Sequence, residues 1–162
     1  MLPDSFQVYP RGDREIFITR AFAAPRELVF QAFTTPEYVQ QWLLGPEGWS
    51  MPVCEIDLRV GGDFRYLWRK DDGTEMGLRG QFQEIAQPER IVHTEIFDQD
   101  WTEGETRVTT TFAEDNNVTT VTIVVLYSST QARDGAARSG MDQGLTVGYD
   151  RLEKLLGTLQ QQ

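Results

Sequence analysis

A chain of 162 residues with 40% hydrophobic and 25% charged residues has a globular balance, and it is long enough for one domain burying about 70% of its unfolded surface. A net charge of -10 opposes partners that need a positive field, so neither a nucleic-acid backbone nor an anionic membrane surface is expected. The single Cys54 leaves no internal disulfide, no run of about 18 apolar residues offers a membrane span, and the opening residues lack a basic-then-apolar leader pattern, so a cytoplasmic protein is expected.

Met1 to Asp13 contain Pro3, Pro10 and Gly12 and little periodicity, which predicts an irregular tail before one domain over residues 14–162. Glu15 to Phe22, EIFITRAF, is β-branched and aromatic and reads as a first strand. Pro25 suits a first helical turn and Glu27 the positive helix end; with apolar Leu28, Val29, Ala32 and Phe33 they predict a short helix to about Thr34. Thr34 and Glu37 bracket Pro36 as a second start, and Tyr38, Val39, Trp42 and Leu43 carry a second short helix to the stop at Gly45-Pro46.

From Met51 to Tyr127 the apolar period becomes two. Strands are predicted over Met51 to Val60, Asp63 to Lys70, Glu75 to Ala86, Arg90 to Phe97, Glu105 to Ala113 and Val118 to Tyr127. Their separators, among them Gly61-Gly62 and Asp71-Asp72-Gly73, have turn chemistry, and short links imply an antiparallel meander. Ser128 to Arg138 reads as a connector or loose helical turn. In the final stretch, Ser139 to Gln162, Met141, Leu145, Leu152, Leu155, Leu156 and Leu159 fall on one stripe of a helix, with Asp142, Asp150 and Lys154 opposite. Ser139 and Asp142 resemble a capping box, and about 20 helical residues would reach roughly 30 Å. Gly144 and Gly148, on or beside the stripe, serve either close helix packing or room for a ligand. The sum is an α+β fold: a curved antiparallel sheet of about seven strands wrapped on a long C-terminal helix, with two short helices after the first strand.

The ligand signal is aromatic. Alternation puts Phe64, Tyr66 and Trp68 on one strand face and Arg65 and Arg69 on the other; with Trp42, Phe82, Phe97, Phe112 and Tyr149 they could wall a cavity for a flat apolar molecule. The link after Asp57-Leu58-Arg59-Val60 decides that wall. A two-residue Gly61-Gly62 turn would turn Asp57 and Arg59 inward, whereas a three-residue loop aligns Ile56, Leu58 and Val60 with the aromatics and avoids unpaired inward charge; the latter is expected.

His93 is the only histidine and shares its strand face with Ile91, Glu95 and Phe97. It lacks the neighbours of a metal ligand, and a structural imidazole is the simpler reading than a general base. Glu55, Asp57, Glu84 and Glu95 read as surface or rim charges, Cys54 as a small apolar residue, and the acidic run around Trp101 as a solvated connection without the order of a calcium loop.

The ordered set Arg20, Ala24-Pro25-Arg26-Glu27-Leu28-Val29-Phe30, Pro36-Glu37, Gln41-Trp42, Asp57 to Arg65, Asp72-Gly73, Gly80 with Glu84-Ile85, Pro88 to Val92, and Val108-Thr109 with Phe112 resembles the START-related helix-grip superfamily (SRPBCC). Within it the chain is similar to the branch of the heat-shock-protein-90 ATPase activator's carboxy-terminal domain. The resemblance implies a grip fold with a cavity between sheet and long helix, and a possible chaperone partner. Together the readings predict a small-molecule binding protein, with Trp42, Phe64, Tyr66, Trp68, Phe82, His93, Phe112, Met141, Leu145, Tyr149 and Leu152 around an apolar or aromatic ligand. Neither a cofactor nor a metal is expected, and the protein should be a monomer or weak homodimer. Two alternatives stand: a cyclase- or hydrolase-type enzyme using His93 or the Asp57/Arg59 pair, and a protein-interaction domain with a filled interior.

Overall fold

A computed structural model describes residues 5–100 and 102–161. Twelve elements follow in chain order: β1 (Gln7–Arg11), β2 (Glu15–Phe22), α1 (Arg26–Thr34), α2 (Pro36–Trp42), β3 (Trp49–Ile56), β4 (Asp63–Lys70), β5 (Glu75–Ala86), β6 (Arg90–Phe97), β7 (Thr106–Asp115), β8 (Val118–Leu126), α3 (Thr130–Ala137) and α4 (Met141–Gln160). The eight strands form one antiparallel sheet in the order β1-β2-β8-β7-β6-β5-β4-β3. The helical pair α1 and α2 carries the chain from β2 to the far edge, and the meander from β3 then returns strand by strand until β8 lies beside β2.

Two elements go beyond expectation. Residues 7–11, assigned to an irregular tail, pair with β2 from Gln7↔Thr19 to Arg11↔Glu15, so the sheet has eight strands and reaches outside the 14–162 unit. Pro10 hides this strand in the sequence, yet at an edge its missing N–H costs no ladder bond. Tyr9 stacks on Phe17 with ring centroids 5.0 Å apart, anchoring the strand. Residues 1–4, where that tail expectation began, lie outside the described residues, as do Trp101 and Gln162. The connector over Ser128 to Arg138 contains a full helix, α3, capped by Ser129, whose hydroxyl accepts from Ala132 N–H at 3.0 Å.

The final helix begins one residue later than the capping reading places it, and without the capping box. Gly140, at φ 83°, is its N-cap, and the Ser139 hydroxyl instead donates to the Ala136 carbonyl at 2.6 Å. A left-handed residue here turns the chain sharply out of α3, and glycine adopts that conformation without a Cβ penalty. From the middle of the helix onward Tyr149, Leu152 and Leu156 are buried in one cluster with Ile16, Phe22, Phe30 and Phe112. Each fully buried side chain of this size contributes roughly 1.5–3 kcal/mol. The Phe22 and Tyr149 rings meet edge to face at 5.7 Å, which locks α4 over β2.

Gly148 resolves as a packing glycine. A Cβ there would stand 3.1 Å from the Trp42 carbonyl oxygen, so its absence lets α4 close onto the end of α2. Gly144 faces Pro46 and Gly45 at ordinary contact distance. The missing side chains thus admit neighbouring backbone rather than a ligand.

Candidate functional site: an aromatic cavity between sheet and helices

Strand alternation carries Phe64, Tyr66 and Trp68 of β4 onto the inner face, with ring centroids 5.0 and 5.8 Å apart in succession. Phe82 of β5 extends that wall, 5.5 Å from Phe64. The opposite face of β4 is ionic: Arg65 donates twice to Asp98, at 2.7 and 2.6 Å, and Arg69 twice to Glu75. Arg65 holds the Asp98 carboxyl below its ordinary range by hydrogen bonding, which outweighs desolvation.

These rings open on a cavity of about 310 Å³, near the lower end of the roughly 300–1,000 Å³ typical of ligand sites. Trp42, Met141, Leu145 and Tyr149 close it from the helical side. Both indoles are anchored by backbone: Trp42 Nε1 donates to Ala32 O at 2.9 Å and Trp68 Nε1 to Leu43 O at 2.7 Å, leaving ring faces for the cavity. Of the eleven side chains expected around a ligand, nine line this space: the three on β4, Trp42, Phe82, His93, Met141, Leu145 and Tyr149. Phe112 and Leu152 do not. Both are packed in the core, Phe112 against Phe30 and Phe33, and Leu152 within the same buried cluster.

The Asp57/Arg59 question is settled by a loop longer than either alternative. Ile56 pairs with Phe64 and Cys54 with Tyr66, so the parity expected for Ile56 holds, but residues 57–62 leave the ladder. Leu58 and Val60 are exposed there, and Arg59 Nε donates to Asp57 Oδ2 at 2.9 Å outside the cavity. Backbone bonds from Gly61 N to Phe82 O and from Phe82 N to Gly62 O pin the loop to β5. The enzyme alternative therefore loses the Asp57/Arg59 pair.

Glu95, expected as a surface or rim charge, lines the cavity, with its side chain 26% exposed, and its Oε2 lies 2.9 Å from His93 Nε2. His93 Nδ1 is buried without a hydrogen-bond partner among the described residues, and the ring stands edge-on to Phe64 at 5.1 Å. Burial pushes the Tyr66 phenol up, with Cys54 and Glu95 adding to it, and burial followed by Glu95 does the same to Tyr127. Both phenols stay protonated donors. The shared face of His93, Glu95 and Phe97 on β6 was visible in the alternation; Val108 and Thr110 on β7, Ile123 and Val125 on β8, and Tyr127 complete the floor and could have been found by the same parity. Leu43 could not, since it lies past the helix end.

Cys54 is outside the cavity lining, and burial, with Glu37 and Glu55 adding, pushes its thiol up to about 12, the opposite of an activated nucleophile. Among the described residues no three His, Cys, Asp or Glu side chains are grouped to hold a metal, and no helix is long and apolar enough to cross a membrane.

An eight-stranded antiparallel sheet gripping a long C-terminal helix, with a cavity between them, defines a helix-grip protein of the START-related superfamily. Residues 23–157 match the family described as activator of Hsp90 ATPase homolog 1-like protein, and the chain belongs to that family. Among solved structures, a Rhodobacter sphaeroides protein is 31% identical with a TM-score of 0.90, over 96% of this chain and 99% of that one. A Nitrosomonas europaea protein shares the fold at 20% identity and TM-score 0.83, over 94% of this chain and all of its own. An AHSA1-like protein from Aeromonas hydrophila does so at 20% identity and TM-score 0.68, over 86% and 93% of the two chains. No curated protein matches.

Proposed function

We propose that the protein binds a small, mainly apolar or aromatic molecule between the β4 wall and the helices α2 and α4. The observation that supports this reading most is the cavity of about 310 Å³ beside the buried core, with indole and phenyl faces turned to it. A filled interior would have favoured an interaction domain, and the exposed large apolar side chains among the described residues, Tyr9, Leu58 and Val60, do not include the cavity walls. A chaperone partner rests on family membership alone. The unpaired Cys54 suits a cytoplasmic setting.

The His93–Glu95 pair favours an enzymatic second reading, in which the carboxylate and imidazole act as a general base within the cavity. Against it, His93 Nε2 is occupied by Glu95 and Nδ1 is buried, so neither ring nitrogen is open to a substrate without movement. Binding without covalent chemistry is the reading the geometry supports best.

Native mass spectrometry of the purified protein, followed by thermal-shift screening with flat aromatic and lipid-like compounds, tests it. A ligand should stabilise the fold by RT ln(1 + [L]/Kd), about 2.7 kcal/mol at a hundredfold excess over Kd. A retained small molecule or a concentration-dependent shift is expected. If no compound moves the transition, the binding reading falls and the interaction domain takes its place.

A further inference from the structure

The cavity lining is apolar except for a handful of groups, and those groups are unevenly matched. Among the described lining residues Glu95 is the only acidic side chain, and no lysine or arginine accompanies it. Among the described residues its one side-chain partner is His93, which occupies Oε2. A carboxylate offers about four lone-pair sites, and no other described residue donates to this one. Tyr66 and Tyr127, both within reach of its charge, supply further hydroxyls along the same wall.

A ligand entering such a space meets two opposite requirements. Its body must be apolar, to match the rings. Its polar end, where it has one, must donate a hydrogen bond to an anion, because bonds to an ionised acceptor are roughly twice as strong as neutral ones. A ligand carboxylate would instead be desolvated beside Glu95 with no lysine or arginine in the described wall to receive it, and burying an unpaired charge is heavily penalised.

We infer that Glu95, positioned by His93, makes the cavity select flat apolar molecules that carry a hydroxyl donor, phenols being the simplest class, and reject carboxylate-bearing lipids and aryl acids. The inference rests on the cavity reading above and deepens it by naming the ligand class.

Three probes of one shape separate the two claims: naphthalene, 2-naphthol and 2-naphthoate, with Kd measured by calorimetry or by quenching of tryptophan fluorescence. The expected result is 2-naphthol binding at least tenfold tighter than naphthalene and 2-naphthoate at least tenfold weaker than 2-naphthol. Glu95→Gln, verified as folded by its circular dichroism and thermal transition, keeps a neutral acceptor and removes the charge. Its 2-naphthoate affinity should rise at least tenfold while naphthalene is unchanged within twofold. If naphthalene and 2-naphthol bind within twofold of each other, or 2-naphthoate binds as tightly as 2-naphthol, the ligand-class inference is overturned while the cavity reading stands. If none of the three binds, both fall together.

Discussion

Gly80, in the middle of β5, has no Cβ because its surroundings leave no room for one. A Cβ there would collide with the Thr94 carbonyl oxygen and the Phe64 ring, and neither can swing away, one being backbone and the other part of the cavity wall. Gly80→Ala should therefore cost about 1–3 kcal/mol by overpacking, read as a lower urea midpoint; an unchanged midpoint would show that the sheet yields there. Trp68 has a different role. Its indole is fixed by Leu43 and its face is open to the cavity, so Trp68→Ala removes wall rather than core. The variant should fold and lose the ligand-induced thermal shift; retention of that shift would move the binding site off β4. Asp98 shows how a charged residue on the outer face contributes. Arg65 and Arg79 of neighbouring strands both donate to it and keep its carboxyl below the ordinary value. A depressed folded pKa adds stability above about pH 4 that is lost as pH falls through the lower folded value. Asp98→Asn should thus be less stable than the parent at pH 7 by under about 1 kcal/mol, since the pair is a third exposed, and the difference should close toward pH 2.

Between elements, one polar tie is Arg133 of α3. Its side chain is 9% exposed, and Nη1 donates to the carbonyls of Gly12 and Glu15 at 3.1 and 3.0 Å, fastening α3 to the β1–β2 hairpin. Arg133→Met keeps the apolar stem and removes the donors. It should cost about 1–3 kcal/mol and speed hydrogen exchange in β1 and the start of β2, while the β4–β5 ladder stays protected. Equal acceleration in both places would mean that α3 is not the hairpin's anchor. This tie also marks where the sequence stops being legible. The bounds of β2, β4, β5 and β6 follow from alternation and turn residues alone, because each buries one face and meets its neighbour through a short link. β1 and α3 do not, since β1 carries Pro10 and little buried surface, and α3 is held by a buried arginine that no apolar stripe announces. The same distinction applies to the cavity. The β4 aromatics are readable from a period of two, whereas the inward setting of Glu95 conflicts with the general cost of burying a charge and becomes sensible only beside His93. Phe112 and Leu152 fail for the converse reason: an apolar face is visible in sequence, but which part of it touches packed side chains and which touches empty space depends on how helices cross the sheet.

Across the whole molecule, the strand order sets contacts of very different span. The hairpins β4–β5 and β5–β6 close through short turns, while β2 pairs with β8 through residues as distant as Ile18 and Ile123. Local pairings cost less loop entropy and should form first. Pulse-labelled hydrogen exchange during refolding is expected to protect amides of β4 to β6 before those of β2 and β8, and simultaneous protection would reject that order. The β2–β8 seam has one more consequence, in the setting where the chain is made. A ribosome adding about 5–20 residues per second leaves roughly 5–20 s between the synthesis of Ile18 and of its partner Ile123. Throughout that interval β2 has an unpaired edge and α1 lacks the strands β7 and β8 on which it packs. The nascent amino-terminal third is therefore the stretch most in need of shelter during translation, and point mutations there should lower the yield of soluble protein more than their effect on the finished fold would suggest.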